Sequence, residues 1–148
     1  MSIREATAID IALVLGDIQE PRPVLVTREP FDPERLAITQ FPAILITSLN
    51  EEKETITMGA MGSTGLGRRT GTIEYEIRAY VRGTNLDTQR NDIIEAIEEA
   101  LDQDRSRLQS SSVTDSQVTR IEIQSRLPPL AEAVITYQVK YFHKRAIT

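Results

Sequence analysis

The sequence predicts an α+β fold, a mostly antiparallel sheet of about four to five strands with two main helices packed on one face and a Gly-rich protruding arm. Three observations predict it. Between Thr72 and Arg82 apolar and polar residues alternate, with Ile73, Tyr75, Ile77, Ala79 and Val81 on one side and Thr72, Glu74, Glu76, Arg78, Tyr80 and Arg82 on the other, the signature of a half-buried strand. After Gly83 the period lengthens, and Leu86, Arg90, Ile93, Ile94, Ile97 and Leu101 fall on one helical stripe. A strand with an apolar face followed at once by a helix with an apolar stripe is the seed of a two-layer domain. The third observation is renewed alternation near the end of the chain, through Ile121 and Ile123 and then Ala133, Ile135, Tyr137, Val139 and Tyr141, which reads as two closing antiparallel strands.

The other elements follow in order. Ser2 and Glu5 have capping-box spacing, so a helix is expected from there to about Gln19, with Ile3, Ala6, Ile9, Leu13 and Val14 buried and Pro21 and Pro23 ending it. Val24 to Val26 reads as a short strand beginning after proline. Asp32-Pro33-Glu34 has the chemistry of a single helical turn, Asp capping and Pro in the first position. Pro42 to Leu49 is continuous and β-branched, as in a central strand covered on both faces. Asn50 to Glu54 reads as a charged turn, and the thirteen residues from Gly59 to Gly71 hold five glycines, so about 51–71 is expected to form the flexible arm. Thr84 and Asp87 suggest a second capped helix start, and Asp102 and Asp104 oppose the dipole where that helix should end. The serine-rich stretch from Arg107 to Gln117 reads as a loop. A length of 148 residues suits one domain spanning 1–148.

Composition narrows the function. Hydrophobic residues make up 40% and charged residues 26%, ordinary globular usage. The absence of cysteine removes disulfides, thiolate metal sites and thiol nucleophiles. A net charge of -5 and a pI near 5.0 supply no general attraction for a phosphate backbone. No apolar run approaches the ~20 residues of a spanning helix, and the N-terminus lacks the pattern of a signal peptide. A soluble protein without membrane association is expected.

The motifs point away from chemistry. Gly62 to Gly67 has GxxxxG spacing, but Arg68-Arg69 stands where Lys-Ser/Thr belongs, and the segment leads into a strand rather than a helix. Asp102, Asp104 and Ser106 imitate half of a calcium loop, yet Arg107 replaces its glycine and Val113 its bidentate glutamate. His143, the single histidine, sits in a basic tail without catalytic or metal-binding companions. Glu74 and Glu76 share a strand face with Arg78 and Arg82, the pattern of a salt-bridged face rather than a carboxylate pair for catalysis. No nucleophile, base and orienting group can be assembled. The expectation is a non-enzyme with no cofactor and no metal. Arg68, Arg69, Glu74, Glu76 and Arg78 are its candidate interface residues, chosen for charge and placement.

The order of elements resembles the tail terminator and tail-completion proteins of tailed bacteriophages. The segments that carry this resemblance are the N-terminal helix, Phe41-Pro42-Ala-Ile-Leu-Ile, the Gly-rich arm, the strand Ile73 to Gly83, the helix Asn91 to Leu101, and the closing strands ending at Tyr137-Gln-Val-Lys-Tyr141. They span about residues 3–142. The resemblance implies a virion structural protein that forms a ring, typically a hexamer, at the head-proximal end of the tail tube. There it would stop tube polymerisation and offer a docking surface to the neck or connector. It implies as partners further copies of itself, the tail tube protein and the neck or connector protein, with DNA passing through the channel without specific binding. The implied location is the neck end of the virion tail, after assembly in the bacterial host cytoplasm. Another neck or tail-tube component, or a small α+β module binding RNA or a peptide along its sheet, is the competing expectation.

Overall fold

The computed structural model describes residues 3–55, 68–103 and 113–144. Two helices, α1 (Ile3–Gly16) and α2 (Leu86–Asp102), lie on one face of a five-stranded sheet. The strands are β1 (Leu25–Thr27), β2 (Ala43–Thr55), β3 (Arg68–Arg82), β4 (Val113–Gln124) and β5 (Leu130–Lys144), in the order β1-β2-β3-β5-β4. Only the β1–β2 pair is parallel; all other neighbours are antiparallel. This is the α+β architecture that the alternating strands and the amphipathic helix require.

The helix-facing core is built from Ile73, Tyr75, Ile77, Ala79 and Val81 of β3, with Ile44 and Ile46 of β2 and Ala133, Ile135, Tyr137 and Val139 of β5. Ile93, Ile94, Ile97 and Leu101 of α2 and Ala8, Ile11 and Leu15 of α1 cover it. Each fully buried isoleucine contributes roughly 1.5–3 kcal/mol relative to exposure. The opposite face has its own smaller cluster, Ala43, Leu45, Tyr80 and Leu130 roofed by Leu25, Phe31, Leu36 and Phe41. Both faces of β2 are therefore covered near Ala43 to Ile46, as its unbroken apolar run predicts.

The segment 28–42 that makes this roof contains the expected turn, a 3-10 helix at Pro33–Arg35. Its cap is Asp32, whose side-chain oxygen accepts from the Glu34 N–H at 3.0 Å.

The structure corrects several expectations. α1 buries Thr7, Ala8, Asp10, Ile11 and Leu15, while Leu13 is 58% exposed. This helix is apolar almost all round, so spacing alone leaves the phase of its buried stripe ambiguous. It ends at Gly16, within the limit of about Gln19 that Pro21 and Pro23 set. Asn50 to Glu54 is strand rather than turn, because β2 continues to Thr55 beyond a register shift between Ser48 and Asn50. β4 begins at Val113, inside the expected loop. Its polar stretch is held by pairing with β5 and by Tyr137, whose hydroxyl donates to the buried Ser116 Oγ at 2.7 Å. The N-cap of α2 is Asn85, at a left-handed φ of 54°, rather than Thr84. Gly83 at φ 138° turns the chain toward it, and the Gln89 amide donates to the Thr84 carbonyl.

The β2–β3 ladder runs to Thr55 paired with Arg69, so both ends of the expected arm (51–55 and 68–71) are strand; the rest of it, 56–67, lies outside the described residues. Gly71 has a definite packing role there. A Cβ on it would stand 2.2 Å from Cζ of Tyr141, its direct partner on β5. Only glycine lets the tyrosine ring lie across this strand.

Candidate assembly surface

The outer face of the sheet collects most of the residues marked by sequence. Glu74, Glu76 and Arg78 occupy alternate positions of β3 on the face away from the helices, each partly exposed. Arg68 and Arg69 begin the same strand, in register with Lys144 and His143 of β5; their side chains lie outside the described residues. The same is true of the His143 side chain and of Asp104 and Ser106. The five candidate interface residues thus share one strand, β3, which begins at Arg68.

The two ends of this face differ. At the end near β1, the Arg78 guanidinium is already engaged by Glu76 and, at 2.6 Å, by Oε2 of Glu132. Arg126 Nε donates to the other Glu132 oxygen at 2.7 Å. Glu132 is only 2% exposed, and both its oxygens are committed to guanidinium groups. A carboxylate so held fixes structure and is not placed to shuttle protons. Burial lowers the Arg78 pKa, but its hydrogen bond to Glu132 and the neighbouring carboxylates more than compensate and hold it above its ordinary value. Arg126 also lies 5.7 Å from the Tyr80 ring centre, and Phe31 meets that ring edge-on with centroids 5.5 Å apart. Burial, then the charge on Glu132, pushes the Tyr80 phenol up. The cluster clamps segment 28–42 and the β4–β5 connection onto the sheet.

Toward Arg68 the described residues of the outer face reach solvent. Thr72, Glu74, Glu76, Thr136 and Gln138 are partly exposed and Lys140 is exposed. On the helix side of this same end, a second network ties the arm base to α1. Arg4 Nη1 lies 2.6 Å from Glu51 Oε1, the Tyr141 hydroxyl donates to the other Glu51 oxygen, and the Tyr75 hydroxyl donates to the Arg4 carbonyl at 3.0 Å. Burial raises the Glu51 pKa, but the hydrogen bonds from Tyr141 and Arg4 outweigh it and hold the group below the ordinary carboxylate range. Tyr141 is pushed up to about 12, by burial first and then by its bond to Glu51. Arg28 grips both oxygens of Glu5 at 2.7 and 2.9 Å, pinning α1 to the segment after β1.

Sequence reasoning missed Glu132 and Arg126. Glu132 interrupts an apolar run between Ala131 and Ala133, and a carboxylate at such a position signals a buried partner. Its identity requires the β3–β5 register, which sets Tyr80 opposite Glu132 and leaves Arg78 on the diagonal.

A cleft of about 370 Å³ between the end of α1 and α2 is lined by Val14, Asp17, Ile18, Glu20, Ala96 and Glu99 among others, and its charged groups are acidic. Among the described residues, no group of three or more His, Cys, Asp or Glu could hold a metal ion. Also among them, no helix is long and apolar enough to cross a membrane.

No protein-family model matches the chain, and no curated protein sequence matches it. Its fold is similar to that of a chain in a solved structure described as the virion of a native gene transfer agent particle. The match has a TM-score of 0.50 at 8% identity and covers 96% of each chain. At that identity the likeness is one of fold.

Proposed function

We propose that this protein is a non-enzymatic structural component of a phage-like particle, and within it the tail terminator. In this reading it forms a ring, a hexamer as the resemblance implies, at the head-proximal end of the tail tube. The ring stops tube polymerisation and presents the neck or connector with a docking surface. DNA passes through its channel without specific binding, consistent with the chain's acidic balance. The observation that carries the reading is the fold shared, over 96% of both chains, with a chain of a gene transfer agent virion. The outer face supports it. One end is closed by an internally saturated charge cluster, and the other is open, polar and continuous with the arm, where a neighbouring protein can dock. Arg68, Arg69, Glu74 and Glu76 are the contacts assigned to that docking, with Arg78 holding Glu76 in place.

An RNA-binding sheet fits less well. Its stacking aromatic would be Tyr80, and that ring is buried beneath Phe31 and Arg126.

The test is tube assembly. Tail tube protein polymerised with this protein should give tubes capped at one end and shorter on average than tubes grown without it. Tubes of unchanged length, bearing no bound protein, would refute the terminator role.

A further inference from the structure

Two helix-facing rows of the sheet run off its β4 edge without cover. Register places Val26, Ile44, Ala79, Ala133 and Ile123 in one row, and Ile46, Ile77, Ile135 and Ile121 in the next. From Ile44 to Ala133 and from Ile46 to Ile135 these side chains are buried, yet Ile121 is 39% and Ile123 52% exposed. They lie in Arg120 to Gln124, which pairs continuously with β5 beyond the last register shift. β4 is the last strand of the sheet, so no described strand pairs with its outer edge. A regular edge with uncovered isoleucines is a template for a further strand.

We propose that copies of this chain join head to tail through this edge, β4 of one copy lying against β1 of the next. The inference rests on the ring reading and deepens it by naming the lateral seam, which is distinct from the outer face assigned to docking. Strand polarity fits a second copy. β1, β2 and β5 run one way and β3 and β4 the other, so a neighbour in the same orientation sets its β1 antiparallel to β4. The sheet then continues in its more stable pairing, with all helices on one side. α1 packs on β1, so the next copy brings its α1 alongside α2, where Ile121 and Ile123 lack cover. Val24, 58% exposed and immediately before β1, adds an apolar side chain at the receiving edge.

Charge selects head-to-tail joining over its main rival. A two-fold β4–β4 pairing would also continue the sheet, but it sets α2 beside α2. That helix carries six acidic residues and one basic one, so like charges would face each other across the seam. Head-to-tail joining sets α2 beside α1, whose charged residues are Arg4, Glu5 and Asp10. A two-fold contact also closes as a dimer, whereas a heterologous one repeats and closes as a ring.

The test exploits the absence of cysteine. Val24→Cys and Ile123→Cys, made singly and together, are treated with a short bismaleimide. The mass of the wild-type protein is measured by light scattering, alone and with tail tube protein. The double variant should shift on a denaturing gel from monomer to a ladder of multimers, and each single variant should stay at monomer mass. Covalent dimers from Ile123→Cys alone would overturn the proposal in favour of a two-fold seam. An oligomer by light scattering with no ladder from the double variant would overturn the seam and leave the ring standing. A wild-type monomer under both conditions would remove ring and seam together.

Discussion

β3 and β4 read alike in sequence and behave differently in the fold. Both alternate apolar and polar residues, and both bear arginine and glutamate on the outer face. In β3 the inner residues Ile73, Tyr75 and Ile77 are sealed beneath the helices, and Arg78 is bound by carboxylates on its own and the next strand. In β4 the same pattern ends at an edge, where Ile121 and Ile123 meet solvent and, among the described residues, Arg120 pairs along its own strand with Glu122, at 2.5 Å. Alternation specifies that a strand has two faces; its rank in the sheet decides what covers them. The central strand holds the fold, and the edge strand leaves two isoleucines at the surface.

Substitutions should separate the two strands. The largest effect is expected from Ile77→Ala, a deletion in the sealed row, which should cost about 2–5 kcal/mol in chemical denaturation. Ile123→Ala, one row away but at the edge, should cost well under 1 kcal/mol in the isolated chain, as exposed sites do. Equal losses would erase the distinction. Gly71→Ala comes next. The added methyl must displace the Tyr141 ring, and overpacking of this kind costs about 1–3 kcal/mol; an unchanged melting temperature would show that the ring swings aside freely.

Glu132→Gln should cost about as much, roughly 1–3 kcal/mol by denaturation. Its loss leaves Arg78 and Arg126 without their shared carboxylate, but both guanidinium groups are partly solvated, which tempers the cost. The smallest effect concerns pH. The folded-state pKa of Glu51 is depressed below 4.5. Its contribution is therefore complete above its unfolded-state value and lost as pH falls through the lower folded value. Glu51→Gln should flatten the acid limb of the stability profile below about pH 4.5 and leave the slope near neutrality unchanged. An acid limb identical to wild type would dissociate Glu51 from acid stability.

Much of this fold was legible because β3 and α2 have clean periods. The stripe from Leu86 to Leu101 marks the helix almost to the residue, since acidic side chains fill its other side and fix the phase. α1 lacks that contrast. Apolar residues surround it, and only the packed sheet shows that Ile11 and Leu15 face inward while Leu13 does not. The start of β4 was hidden for a related reason: Thr114 to Gln117 is polar, and a hydroxyl at Ser116 becomes a core residue only when Tyr137 supplies a partner. On the outer face, the charge pairing of Glu76 with Arg78 is visible in their spacing, but Glu132 and Arg126 join it through strand register and a turn that no local pattern encodes. Which apolar rows lack cover is the least legible property of all, since Ile121 and Ile123 look as buried as Ile135 and Tyr137 until the strand order is known.

In the proposed ring the uncovered edge of β4 serves assembly and the sealed β3 serves folding. Native mass, measured side by side on the wild type and on Ile121→Arg/Ile123→Arg, alone and with tail tube protein, separates the two roles. A closed oligomer is expected for the wild type and a folded monomer for the double variant, with a nearly unchanged melting temperature. A wild type that stays monomeric both alone and with tail tube protein, or a double variant that still assembles, would contradict that division of labour.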